Sequence, residues 1–275
     1  MEIGMSRASM TKEVFYELKN ANIKHIEISL SMEKINNLDF QEVKELAEET
    51  GVNLWSFHLP FMPFAELDIS NPNIAEKTVA YLKEIIKKAA GIGIDKFVIH
   101  ASGEPIAEED RRVRMDTAKN SLKELCEYAD SFGAIIIVEN LPRTCLGRDS
   151  SDILELLSVD PRLKSCFDTN HLLKENSSDY IKAVGEKIVT THVSDYDFKD
   201  ERHWLPGEGK IDWQRLYGDL KSVGFDGAWL YELNLSSTKT IDREKDLTAF
   251  DVYENATSIF EGKALFPKGK VKENL

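Results

Sequence analysis

The chain alternates short β-rich runs with longer amphipathic runs, and this alternation constrains its fold more than any other feature. The longer runs carry apolar residues three and four positions apart, as at Val79, Leu82 and Ile86, and therefore predict helices. We predict strands at Glu2–Ser6, His25–Leu30, Val52–Leu59, Lys96–His100, Ile135–Glu139, Leu163–Phe167, Lys187–Val193 and Ala228–Leu233.

Glycine punctuates this alternation, because it readily adopts the left-handed conformation that ends a helix. Five predicted helices are followed by such a residue before the next strand: Gly51, Gly91, Gly133, Gly185 and Gly224. Strand–helix units repeated over roughly 260 residues match a (β/α)8 TIM barrel. We therefore predict an α/β fold with one TIM-barrel domain over residues 1–275 and a short tail from about residue 262. An open doubly wound sheet is the alternative, but no glycine-rich phosphate fingerprint follows the first strand.

Composition limits the partners and the compartment. A formal net charge of −13 argues against nonspecific nucleic-acid binding. No apolar run is long enough to span a membrane, and the N-terminus lacks a signal-peptide pattern. Cys126, Cys145 and Cys166 show no metal-binding or disulfide spacing, so we expect free thiols in the cytoplasm. A homo-oligomer is compatible with the sequence, and we expect the basic stretch Lys268–Lys272 to be a solvated end.

Potential metal ligands lie in the C-terminal parts of four successive strands. Glu139 and Asp168 end the fifth and sixth strands, and His192 and Glu232 lie near the ends of the seventh and eighth. In a barrel these ends meet at one face, where an unpaired buried carboxylate is costly. One divalent cation would satisfy them together, and this oxygen-rich set suits Mn²⁺, Mg²⁺, Co²⁺ or Zn²⁺. We predict one bound metal ion, with Mn²⁺ as the first choice.

Other polar residues are predicted at the same face of the barrel. His58 and His100 end the third and fourth strands, where a place in the pocket and a place in the core are both open. His171 follows the sixth strand, and Arg202 and His203 lie in the long loop after the seventh. Long loops at this face commonly shape or cover a site. We predict these five residues as substrate contacts, whereas Arg143 is interpreted as a surface residue.

Five motifs, taken in order, resemble the xylose isomerase-like barrel superfamily. They are Glu139-Asn140-Leu141-Pro142, Asp168-Thr169-Asn170-His171, His192-Val193-Ser194-Asp195, Arg202-His203-Trp204-Leu205-Pro206-Gly207-Glu208-Gly209 and the single residue Glu232. The resemblance implies a sugar or sugar phosphate isomerase or epimerase that acts through an enediolate. It also implies that Glu139 and Glu232 are acid/base catalysts on opposite faces of the sugar, in addition to binding the metal, and that His171 holds a substrate oxygen.

The same superfamily offers two other activities. An inosose dehydratase-type lyase is one. The other is an endonuclease IV-like phosphodiesterase that cleaves DNA at abasic sites. That family binds three zinc ions through residues matching His58, His100, Glu139, Asp168, His171, His192, Glu201, His203 and Glu232, with aspartate in place of Glu201. The acidic charge and the absence of a basic, aromatic-bearing loop favour sugar chemistry. A ligand-binding barrel without catalysis is a third interpretation, which the acid/base pair disfavours.

Overall fold

A computed structural model describes residues 1–61 and 67–272, and over these ranges parallel strands form one sheet. The strands are β1 (Ile3–Arg7), β2 (His25–Ser29), β3 (Asn53–His58), β4 (Lys96–His100), β5 (Ile135–Glu139), β6 (Lys164–Asp168), β7 (Ile188–His192) and β8 (Trp229–Tyr231). Neighbouring strands follow the order β7-β6-β5-β4-β3-β2-β1-β8. Val193 links the two ends of this order, since its N–H donates to Leu230 O at 2.8 Å and its carbonyl accepts from Glu232 N at 3.2 Å. The predicted (β/α)8 barrel is confirmed.

Helices alternate with the strands along the chain. They are α1 (Lys12–Asn20), α2 (Met32–Asn36), α3 (Phe40–Thr50), α4 (Ala75–Ala90), α5 (Arg111–Asp130), α6 (Ser150–Leu157), α7 (Ser177–Val184), α8 (Trp213–Ser222) and α9 (Ala249–Phe260). Val79, Leu82 and Ile86 of α4 are buried in the core, as their spacing predicts. The short α2 was not predicted, because it buries Ile35 alone and so shows no repeated apolar spacing. Within the described ranges, no helix is long and apolar enough to cross a bilayer.

Glycine ends the helices as predicted, with one exception. Gly51 follows α3 with a φ of 73°, in the left-handed region. Gly91, by contrast, has a φ of −61° and stays right-handed after α4. The left-handed residue of that turn is Gly93, with a φ of 95°. The turn is where the sequence predicts it, but the residue that makes it is two positions later.

Lys268 and Lys270 of the predicted solvated end are exposed, and residues 273–275 of the predicted tail lie outside the described ranges. Strand β10 (Gly269–Val271) pairs antiparallel with β9 (Ile241–Arg243), which lies in the segment after β8. Arg243 Nη2 donates to Glu208 Oε2 at 2.7 Å, and Lys268 N donates to Glu208 Oε1 at 3.1 Å. The tail therefore anchors the loop between β7 and α8, which also carries Glu201 and His203.

Replacing Arg243 with leucine is expected to destabilise the protein by about 3–5 kcal/mol. The side chains of Arg243 and Glu208 are both fully buried, so the variant leaves an unpaired carboxylate inside the protein. Urea unfolding would measure the change. Lys263→Ala, an exposed substitution in the same tail, should stay within about 0.5 kcal/mol of wild type. Equal stabilities for Arg243→Leu and Lys263→Ala would contradict a stabilising role of this ion pair.

Candidate active site

The four predicted metal ligands meet at the C-terminal end of the barrel. Glu139, Asp168, His192 and Glu232 each offer one ligand atom, and these atoms lie within 4.8 Å of one another. His192 Nδ1 is 3.2 Å from Glu139 Oε1, 3.2 Å from Glu232 Oε2 and 3.8 Å from Asp168 Oδ2. The geometry follows from the parallel register, in which Asp168 of β6 lies opposite His192 of β7.

Three of these atoms are buried without a hydrogen-bond partner in the described part of the chain: Glu139 Oε1, Asp168 Oδ2 and His192 Nδ1. Buried polar atoms are normally satisfied, so an unsatisfied group of this kind requires an explanation. Two carboxylate oxygens and a ring nitrogen that converge in this way are suitable ligands for a divalent cation. The residues present therefore fit the metal ion that the sequence predicts.

Asn140 holds Asp168 in place. Its side-chain Nδ2 donates to Asp168 O at 2.9 Å, and its Oδ1 accepts from Asp168 N at 2.7 Å. Asp168 Oδ1 accepts a hydrogen bond from Asn170 N at 2.6 Å. One oxygen of the carboxylate is thus satisfied locally, and the other is left for a ligand. Asn140 belongs to one of the five motifs, but no role is predicted for its side chain.

The buried carboxylates of the site differ in the direction of their pKa shifts. Burial by itself raises the pKa of Glu139, but the neighbouring His192 and His100 hold that pKa well below its usual range. Burial also opposes ionisation of Glu232, and His192 and His203 again hold its pKa low. For Asp168, burial dominates and raises the pKa to about 7, and the charges of Glu139 and Glu232 add to this effect. Glu139 and Glu232 are therefore ionised and can accept protons.

Two of the histidines predicted as substrate contacts, His58 and His100, pair with Glu139. His58 Nε2 is 3.0 Å from Glu139 Oε2, and its Nδ1–H donates to Leu59 O at 3.0 Å. His100 Nε2 is 3.3 Å from the same oxygen of Glu139. His100 also lines the cavity described below, whereas His58 is buried and does not. The geometry thus supports a substrate contact for His100 and a structural role for His58.

A cavity of about 280 Å³ opens above the ligand cluster, and Glu139, Glu232, His171 and His203 line it. The Nδ1–H of His171 donates to Asn140 O at 2.9 Å, so its Nε2 faces Glu201 at 3.5 Å. Cys145 also lines the cavity, but burial raises the pKa of its thiol to about 12, which keeps it protonated. A cysteine nucleophile is therefore disfavoured.

Arg202 does not line the cavity among the described residues, in contrast to the prediction. Its guanidinium Nη2 is 3.0 Å from Asp197 Oδ2, and its backbone N–H donates to Asn170 Oδ1 at 2.8 Å. Arg143, which was interpreted as a surface residue, lines the cavity instead. Side chains in a loop point in different directions. A loop sequence has no periodicity from which these directions can be predicted.

Glu27 is a buried residue beside the site that is not among the predicted site residues. Its side chain is fully buried in β2, and its Oε1 lies 3.0 Å from His192 Nε2. The available signal was a carboxylate between Ile26 and Ile28 in the middle of a predicted strand. A buried charge at such a position needs a partner, although the sequence does not reveal which one.

The fold and the site define the class of the protein, a TIM barrel with potential metal ligands at the C-terminal ends of its strands. Sequence comparison identifies the family. Residues 15–249 match the family described as xylose isomerase-like TIM barrel, and the chain belongs to this family. Fructoselysine 3-epimerase of Escherichia coli O157:H7 is 32% identical over 119 residues, which cover 41% of this chain and 43% of that protein. The match thus spans less than half of that relative.

Longer matches have lower identity. D-psicose 3-epimerase of Enterocloster bolteae is 21% identical over 221 residues, covering 74% of this chain and 69% of that protein. The crystal structure of a D-tagatose 3-epimerase-like protein superposes with a TM-score of 0.80 at 22% identity, covering 95% of this chain and 97% of that one. An L-ribulose 3-epimerase structure gives a TM-score of 0.78 at 17% identity, covering 95% and 94%. Likeness at these identities shows a shared fold.

Proposed function

We propose that this protein is a divalent-metal-dependent sugar epimerase or isomerase, with Glu139 and Glu232 as its acid/base pair. One observation carries the proposal. Both carboxylates line the same cavity, and each has an oxygen 3.2 Å from the single ring nitrogen His192 Nδ1. Two ionised carboxylates beside one substrate-sized cavity are what proton removal and proton return on a sugar carbon require. The names of the relatives, which are 3-epimerases, support inversion at carbon 3 of a ketose.

Each residue has a defined task in this reaction. The bound ion, for which Mn²⁺ is our first candidate, would polarise the sugar carbonyl and its adjacent hydroxyl. Glu139 accepts the proton of the neighbouring carbon for one epimer, and Glu232 does so for the other. Return of a proton from the opposite face inverts that carbon. His171 Nε2 faces the cavity and holds a substrate oxygen.

The charges at the cavity mouth favour a free sugar over a sugar phosphate. Arg143 is the one lysine or arginine that lines the cavity within the described ranges, and residues 62–66 and 273–275 contain neither type. Its Nε donates to Glu104 Oε2 at 3.0 Å, its Nη1 donates to Asp200 Oδ1 at 2.6 Å, and its Nη2 pairs with Glu201. A phosphate needs an available cation, and here carboxylates already occupy the guanidinium.

Turnover of free ketohexoses and of the corresponding 6-phosphates would test the function and the charge argument together. We expect kcat/KM to be about tenfold or more higher for the free sugar, because a bound phosphate would face Glu104 and Glu201. Glu104→Gln removes one of these charges and should reduce the ratio of the two kcat/KM values, free sugar to sugar phosphate. A higher kcat/KM for the phosphate would refute the charge argument alone. Deuterium uptake from D₂O would detect turnover. If neither class of sugar is turned over, the sugar function is refuted.

A second candidate function is phosphodiester hydrolysis of the endonuclease IV type. The observation that favours it is the presence of further potential ligand groups beside the first. His58, His100 and Glu139 form one, and His171, Glu201 and His203 form another. All nine positions that the resemblance implies therefore cluster. Against it stands the neutralised Arg143, since DNA phosphates bind to available cations. Cleavage of abasic-site DNA by zinc-loaded protein would establish this activity, and its absence would exclude it.

A further inference from the structure

Glu27 lies directly beneath the ligand cluster, on the side of His192 away from the cavity. Its side chain is completely buried, and its Oε2 accepts a hydrogen bond from Ser56 Oγ at 2.7 Å. Its Oε1 lies 3.0 Å from His192 Nε2, at ion-pair distance, and neither of these two atoms has a hydrogen bond within the described residues. A carboxylate is costly to bury, so its position beside this one ring nitrogen needs a physical reason.

The chemistry of imidazole supplies that reason. A neutral histidine carries one N–H, and an ionised carboxylate can only accept hydrogen bonds. With a cation in the ligand cluster, a carboxylate beside Nε2 therefore favours the form in which Nε2 keeps its proton and Nδ1 presents its lone pair to the ion. Nδ1 is the atom that faces Glu139, Asp168 and Glu232. A metal-binding histidine commonly donates its other N–H to a carboxylate, which fixes the ring and strengthens it as a ligand.

We propose that Glu27 is a positioning residue that keeps the lone pair of His192 Nδ1 directed at the divalent ion. The inference rests on the metal site of the proposed function. The other neighbours of the ring are weaker candidates for this role. His58 stacks against His192 with ring centroids 5.6 Å apart, so it packs against the ring face. Cys166 lies in a ligand group with His192, but a thiol is a weak acceptor.

Two variants test the proposal, and each is judged by metal affinity. Glu27→Gln keeps the shape and one acceptor oxygen but removes the charge, while Glu27→Leu removes the acceptor altogether. We expect Mn²⁺ binding to weaken about tenfold in Glu27→Gln and about a hundredfold in Glu27→Leu. Calorimetric titration of chelator-treated protein would measure both values, after circular dichroism has shown that each variant is folded.

The chain offers a matched control at the opposite end of the barrel. Glu2 Oε2 lies 2.9 Å from His25 Nε2, so Glu2→Gln removes a carboxylate from a second glutamate–histidine pair. Its Mn²⁺ affinity should equal that of the wild type. A second readout is the proton on His192 Nε2, which NMR of the zinc-loaded wild type should show as a slowly exchanging resonance.

The outcomes separate this proposal from the proposed function. If wild-type protein binds neither Mn²⁺ nor Zn²⁺, the metal-dependent function fails. If the wild type binds metal and both folded Glu27 variants bind it equally tightly, the positioning role fails. If Glu27→Leu does not fold, Glu27→Gln decides alone, and wild-type affinity in that variant overturns the proposal.

Discussion

Glu139→Gln and Glu232→Gln are each expected to lower kcat by a factor of about 10²–10⁴ while the barrel stays folded. Glutamine keeps the shape of the side chain but can neither accept nor release the proton at neutral pH. Both glutamates line the cavity, so each variant loses the group that moves the proton. Because either glutamate serves as the base for one epimer, we expect the two losses to be of similar size.

The measurement needs saturating Mn²⁺, since both residues also offer ligand atoms to the ion. Deuterium uptake from D₂O then separates their tasks. A variant that retains the base for a given epimer still exchanges the proton of that epimer without inverting the carbon. Glu186→Gln, an exposed substitution after α7, is the control and should keep full activity. Near-normal kcat in either site variant, under the same metal saturation, would remove that glutamate from the mechanism.

The clustering of the four proposed ligands could be predicted from sequence because a parallel barrel brings residues at the ends of successive strands close together. Glu139 and Asp168 end consecutive strands, and such ends must meet at one face of the barrel. Predicting their positions therefore required only that the strands be recognised. The same logic correctly placed His100 and His171 at the cavity wall.

Residues whose roles depend on side-chain direction could not be predicted in this way. Glu27 meets Ser56 from the next strand and His192 from a distant one, and nothing in β2 itself indicates these partners. Arg143 and Arg202 both follow strands in loops, but only Arg143 lines the cavity. The strand pairing of the tail could not be predicted, because a strand of three residues, such as β10, is too short to show a pattern.

Removal of the metal ion is expected to abolish turnover, and addition of Mn²⁺ or Co²⁺ is expected to restore it. Glu139 Oε1, Asp168 Oδ2 and His192 Nδ1 are buried together without hydrogen bonds from the described residues, so we expect a cation to satisfy them. Metal binding should also stabilise the fold, by about 2.7 kcal/mol when free metal is present at one hundred times its dissociation constant. Activity should therefore level off above the dissociation constant of the metal, while the melting temperature continues to rise.

Dialysis against a chelator, elemental analysis and thermal unfolding would check this prediction on one sample. Asp168→Asn should bind metal more weakly and need more of it for the same melting temperature, because it removes a charged ligand. Asp246→Asn, an exposed change with no site contact, should behave as wild type. About one ion per chain at full activity fits the sugar site, whereas about three zinc ions favour the phosphodiesterase. Full sugar turnover by protein shown to be metal-free would exclude the metal-dependent mechanism.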